Sequence, residues 1–203
     1  MFWYEDEVRR LESKINQSKN RPVTLFYGSS SFRLWPDLEN DFAAFDPVNL
    51  GFGGSTLAAC TWFFNRTVAP YNPRAIVIYA GDNDLGDGRH PEEIFIYFQQ
   101  LAVLIKDRFG DIPCFFISIK PSLARWDLID ALKYTNNIIE SEIIRQDENW
   151  SFINIFQLML KKDGRPNEIY FEKDGLHLTK AGYTLWKSVI EVKLSSILHP
   201  GLT

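Results

Sequence analysis

Val23-Thr24-Leu25-Phe26-Tyr27-Gly28-Ser29-Ser30-Ser31 is the stretch on which the fold turns. Its first five residues are β-branched, aliphatic or aromatic and do not alternate cleanly with polar ones. A strand buried on both faces of a parallel sheet has that character. Gly28 then breaks the strand, and the serines lead into a short helix through Phe32 to Trp35. Four further runs of the same kind follow: Phe45–Leu50, Ala75–Ala80, Cys114–Ile119 and Phe152–Phe156.

The segments between them carry helical spacing. Ile94, Phe98, Leu101 and Ile105 share a face behind a Pro91-Glu92-Glu93 start, and Leu128, Leu132, Thr135, Ile139 and Ile143 mark a second helix. Leu185, Val189, Val192 and Ile197 mark the last one. Val8, Leu11 and Ile15 define a helix ahead of the first strand, expected to pack outside the sheet. Strands alternating with helices predict an α/β chain: a three-layer α/β/α sandwich around a mostly parallel five-stranded sheet. Residues 1–203 read as one domain with an N-terminal helical extension over about residues 1–20. The longest irregular connection runs from Gln157 to Lys173.

Composition narrows the function classes. The 203 residues are 45% hydrophobic and 24% charged, ordinary for a globular chain and not for a disordered one. The net charge of −4, with basic residues dispersed, offers no stripe for nucleic acid. The start lacks a basic segment followed by a long apolar one, so no secretory leader is expected. The apolar runs are too short for stable membrane insertion. Cys60 and Cys114 have no metal or redox spacing and read as buried thiols in a reducing compartment, which makes the expected location cytoplasmic. Phe2-Trp3-Tyr4 is followed by acidic Glu5-Asp6-Glu7, so a core plug or a dimer contact suits it better than a lipid surface. A homo-oligomer is left open.

In a doubly wound sheet, ligands bind beyond the carboxyl ends of the strands. Three polar segments fall there: Gly28–Ser31, Asn49–Gly54 and Ala80–Asp84. A fourth, Asp174-Gly175-Leu176-His177, precedes the last helix. A serine at a strand-to-helix turn presents its hydroxyl near helix amides that favour negative charge, although capping is the plainer role. Gly51-Phe52-Gly53-Gly54-Ser55-Thr56 has no lysine for a phosphate loop, and Thr56 stands where a dinucleotide fingerprint needs glycine. Its glycines suit the close approach of an amide to a reacting oxygen.

Asp82-Asn83-Asp84-Leu85-Gly86-Asp87 resembles a calcium loop, but Asp87 occupies the position that needs glycine, so no metal is expected. Asn83 can donate to an oxyanion, with Asp82 and Asp84 capping and solvating the loop. The spacing of Asp174 and His177 lets the carboxylate reach Nδ1 and leaves Nε2 for a nucleophile. His90 and His199 read as surface residues. Lys120 and Arg125 bracket a loop on the same rim; either suits an anionic substrate group, though solvated charge is the plainer reading. Phe52, Leu85, Trp126, Tyr170 and Leu176 are candidate pocket residues.

From about Val23 to Val192 these segments resemble the SGNH/GDSL hydrolases, named for their Ser, Gly, Asn and His blocks. Gly28–Ser31 with Arg33-Leu34-Trp35, and Asn49–Gly54, are especially similar to bacterial GDSL-type lipases and acylhydrolases. The resemblance implies a flavodoxin-like fold, Ser30 as nucleophile, and Asp174 and His177 as orienting acid and base. It also implies an oxyanion hole of Ser30, Gly54 and Asn83. Ser29 departs from the family, which usually places Asp there. The expected reaction is cleavage of a small-molecule ester of a short or medium acyl group without a cofactor, with Phe52 and Arg125 as substrate contacts. Two alternatives use the same segments: an acyltransferase, and a catalytically silent carbohydrate-binding domain.

Overall fold

The computed structural model describes residues 1–18, 21–146 and 149–198; His199 lies outside them. Five strands form one sheet: β1 (Pro22–Gly28), β2 (Pro47–Gly51), β3 (Asn72–Tyr79), β4 (Cys114–Ile117) and β5 (Trp150–Ile153). All pair in parallel, in the order β2-β1-β3-β4-β5. That is the flavodoxin-like doubly wound order, whose chain direction switches between β1 and β3.

The helices are α1 (Glu5–Ser18), α2 (Ser30–Arg33), α3 (Leu38–Asp41), α4 (Leu57–Thr67), α5 (Asp82–Gly86), α6 (Pro91–Phe109), α7 (Ile129–Gln146) and α8 (Lys180–Leu198). Side chains on successive strand residues point to opposite faces. Leu25, Tyr27, Ile76, Ile78 and Phe116 meet α1, α4, α6 and α7, while Phe26, Val77, Tyr79, Phe115 and Ile117 meet α2, α3 and α8. Both faces are therefore buried, which is why the strands show no polar alternation.

Strand limits move by a few residues where local geometry overrides composition. Phe45 belongs to a 3-10 turn (Ala43–Phe45), and Asp46 takes a left-handed conformation (φ 49°), so β2 begins at Pro47. β5 starts earlier than its apolar run and stops at Ile153. The next free amides, Ile155 N and Phe156 N, donate to the buried Ser118 hydroxyl at 3.0 and 3.1 Å instead of extending the ladder. Thr56, the residue that spoils the dinucleotide pattern, caps α4 by accepting from Ala59 N at 3.0 Å.

Helix α1 does more than lie outside the sheet. Val8 and Leu11 are fully buried in the core. Arg10 donates to the Gly51 carbonyl at 2.6 Å and Lys14 to the Asn49 carbonyl at 3.0 Å, both on edge strand β2. Arg66 of α4 clasps the helix through Glu5 and Glu12, each at 2.8 Å. Tyr4 plugs into the core, whereas Phe2 and Trp3 are 89% and 76% exposed. No helix among the described residues is long and apolar enough to cross a membrane. Cys60 and Cys114 are both buried.

Candidate active site

The site starts from a close approach between two strands. Gly28 has φ +146°, and an added Cβ would stand 1.9 Å from the Tyr79 carbonyl oxygen, so only glycine fits. This lets Ser29 N donate to that carbonyl at 2.9 Å and turns the chain into α2 with Ser30 first. Ser29 precedes the helix but makes no side-chain cap; its hydroxyl is buried without a hydrogen-bond partner. Ser31 is buried too. Ser30 is the serine of this turn that meets an imidazole.

His177 Nε2 lies 3.2 Å from Ser30 Oγ, and Nδ1 lies 2.6 Å from Asp174 Oδ2. The acid–imidazole pair sits on a tight loop closed by Glu172 N donating to His177 O at 2.8 Å. Gly175 supplies its left-handed residue (φ +68°). Asp174 Oδ1 accepts from the amides of Leu176 and His177 at 2.9 and 3.0 Å, which fixes the carboxylate. The His177 hydrogen bond and these amides bring the Asp174 carboxyl down to about 2.

The other wall is the Gly53–Ser55 loop after β2. Gly54 takes a left-handed conformation (φ +67°) with open space where a side chain would stand. Its carbonyl accepts from Tyr4 Oη at 2.9 Å. Glu7 Oε2 accepts from Gly53 N at 3.4 Å, and also from Arg10 and Arg33 at 2.9 and 3.1 Å. Asn83 reaches the same loop, donating from Nδ2 to the Ser55 carbonyl at 3.0 Å. Its Oδ1 accepts from Arg125 Nη2 at 3.0 Å.

Several sequence expectations need correction. Asp82 and Asp84 do not solvate their loop; both are buried. Asp84 accepts from Leu57 N at 2.8 Å and pairs with Arg89 at 3.3 Å, and burial pushes its carboxyl up to about 6. Lys120 is neither a rim charge nor a substrate contact. It is 2% exposed, 2.8 Å from Asp82 Oδ2 and 3.1 Å from Tyr79 Oη. Burial disfavours both charges, but Asp82 is held below the usual carboxylate range by Lys120 and Arg125, and Lys120 is held protonated.

Phe52 is fully buried against Tyr4, Tyr27 and Phe63, so it supports the glycine loop from beneath instead of facing substrate. Leu85 is buried as well, and Trp126 lies against the Arg165 guanidinium at 5.2 Å. Arg125 Nη2 donates to Asn83 Oδ1 and Nη1 stands 3.4 Å from Asp82 Oδ2. Among the described residues no cluster of acidic, His or Cys side chains is placed to hold a metal ion. A groove of about 600 Å³ between α6 and α7, lined by Phe98, Val103 and Trp150, includes none of these residues.

In the sequence Tyr4 reads as part of an aromatic plug, Asp82 as a loop residue and Lys120 as a rim charge, but the Tyr4–Gly54 bond, the Glu7–Gly53 bond and the Lys120–Asp82 pair are not foreseen there. The signal for burial of Lys120 is its place directly continuing the apolar run Cys114–Ile119.

The comparisons agree with this architecture. The model of the GDSL-like lipase/acylhydrolase family matches residues 23–185. A GDSL-like lipase from Bacteroides thetaiotaomicron is similar in structure (TM-score 0.80, 21% identity), with 93% of this chain and 97% of that one covered. A carbohydrate esterase of family 3 from Talaromyces cellulolyticus gives 0.71 at 16% identity, covering 86% and 97%. The lipase/acylhydrolase from Enterococcus faecalis gives 0.67 at 18%, covering 87% and 96%. No curated protein matches the sequence. The chain belongs to the GDSL-like lipase/acylhydrolase family, the SGNH hydrolases.

Proposed function

We propose that this protein is a serine esterase that hydrolyses carboxylic esters of short or medium acyl groups. The observation that carries this reading is the unbroken chain from Asp174 Oδ2 through His177 to Ser30 Oγ, at 2.6 and 3.2 Å. Asp174 holds the proton on Nδ1, so Nε2 accepts the Ser30 proton as Oγ attacks the ester carbonyl. The tetrahedral oxyanion is met by the amides of Ser30 and Gly54 and by the Asn83 side chain. His177 passes its proton to the alcohol oxygen as the carbon–oxygen bond breaks, leaving an acyl group on Ser30. Water, activated by the same imidazole, then releases the acid and restores Ser30.

Leu123 and Leu176 offer apolar contact beside the acid–imidazole loop, where Ala124 N bonds to Gly175 O at 3.1 Å. That modest apolar surface suits a small acyl chain. A fluorophosphonate probe tests the nucleophile, and esters of graded acyl length test the substrate class. Labelling that persists in Ser30→Ala overturns the assignment. Product analysis with an added acceptor alcohol separates hydrolysis from acyl transfer, which would use the same residues.

A further inference from the structure

Asn83 sits between two partners of opposite character. The Ser55 carbonyl accepts from its Nδ2 at 3.0 Å, and the Arg125 guanidinium donates to its Oδ1 at 3.0 Å. Reversing the amide would set N–H groups against the guanidinium and an oxygen against a carbonyl, so one orientation wins. Arg125 is itself held by Asp82, which lies 3.4 Å from Nη1 and is anchored by buried Lys120. Gly86 completes the seat: a Cβ there would lie 2.7–2.8 Å from the Arg125 guanidinium atoms.

We infer that Arg125 is a positioning residue that aims and polarises the Asn83 amide, and that Gly86 is glycine to make room for it. The inference rests on Asn83 acting as an oxyanion donor. A charged donor on the carbonyl oxygen of an amide draws electron density from its nitrogen, so the remaining Nδ2–H becomes a stronger donor to developing negative charge. The fork also prevents the amide from turning, and preorganisation of this kind acts on the transition state more than on bound substrate. Arginine suits the task because its planar fork can engage Asn83 and Asp82 together; a lysine ammonium offers one point charge.

The test is steady-state kinetics on neutral and anionic esters for Arg125→Ala, Gly86→Ala, Asn83→Ala and Arg125→Ala/Asn83→Ala, with thermal melts. Arg125→Ala is expected to lose a large part of the about 10²- to 10³-fold in kcat that removing an oxyanion donor costs, with KM little changed. The loss should disappear in the Asn83→Ala background, because the two residues act on one interaction. Gly86→Ala keeps the arginine but crowds its guanidinium, so it should lower kcat in the same direction, with melts confirming that the variant is folded.

Wild-type kcat in folded Arg125→Ala, or in Gly86→Ala if the first variant does not fold, overturns the inference. So do additive losses in the double variant, or a change confined to KM for anionic esters. In those cases a strong Asn83→Ala defect leaves the oxyanion role standing. A silent Asn83→Ala removes that role and the inference together.

Discussion

Tyr4 Oη donates to the Gly54 carbonyl at 2.9 Å, so a turn at the N-terminus holds the glycine loop that follows β2. Tyr4→Phe keeps the ring packed on Phe52 and Phe63 and deletes that one bond. The expected cost is about 1 kcal/mol of stability. A several-fold fall in kcat should accompany it as the glycine loop loosens. Thermal melts and kinetics on one ester check both parts.

Two of the three adjacent serines, Ser29 and Ser30, should separate cleanly. Ser30→Ala should cut turnover by several orders of magnitude, leaving the residual rate from binding and the oxyanion hole. Ser29→Ala should keep activity. It should also be neutral or stabilising by up to about 1 kcal/mol, because it removes a buried hydroxyl that has no partner. Intact-mass detection of the acyl adduct in each variant reads out the first claim, and denaturant melts the second.

Asp174→Asn should leave the loop folded and nearly abolish turnover, by about 10⁴-fold. Asparagine retains an Oδ1 for the Leu176 and His177 amides. Its Nδ2, however, faces the imidazole Nδ1 with a donor, forcing the ring proton onto Nε2. The ring then donates toward Ser30 where it should accept. Circular dichroism together with kcat/KM separates this effect from unfolding.

Acid should affect two carboxyls in opposite senses. Asp84 is raised to about 6 from an ordinary 3.8, so between roughly those values the fold holds a proton that the unfolded chain lacks. Its contribution to stability therefore improves as pH falls through 6 toward 4. Asp174 is lowered to about 2, so its small, half-exposed contribution persists above 3.8 and is lost only as pH falls through about 2. Melting curves over this range should show an acid-side gain in the parent that Asp84→Asn lacks. Asp174 should stay ionised throughout it.

Much of this was legible from residue order alone. Doubly buried strands announce themselves as apolar runs, and Ser30, Asp174 and His177 lie in segments whose chemistry is local. What stayed hidden depends on partners far away in sequence. Lys120 and Asp82 look like solvated loop charges until the fold brings them within 2.8 Å of one another in the interior. Phe52 is indistinguishable from a pocket wall until Tyr4 packs on it, 5.6 Å between ring centres. Arg125 carries the charge of a substrate contact, and only the fold brings it within 3.0 Å of Asn83.

Arg10 and Lys14 have a consequence that reaches beyond a single molecule. A bare edge strand offers its carbonyls and amides as a template on which another chain can add a strand, and cationic side chains at an edge discourage that addition. On β2 the Asn49 and Gly51 carbonyls are already occupied by α1. A chain lacking only residues 1–18 would lose this cover along with α1 while keeping α8. Such a fragment should self-associate through β2, and light scattering beside the full-length protein would reveal it. The N-terminal helix is thus expected to keep neighbouring molecules from joining their sheets edge to edge.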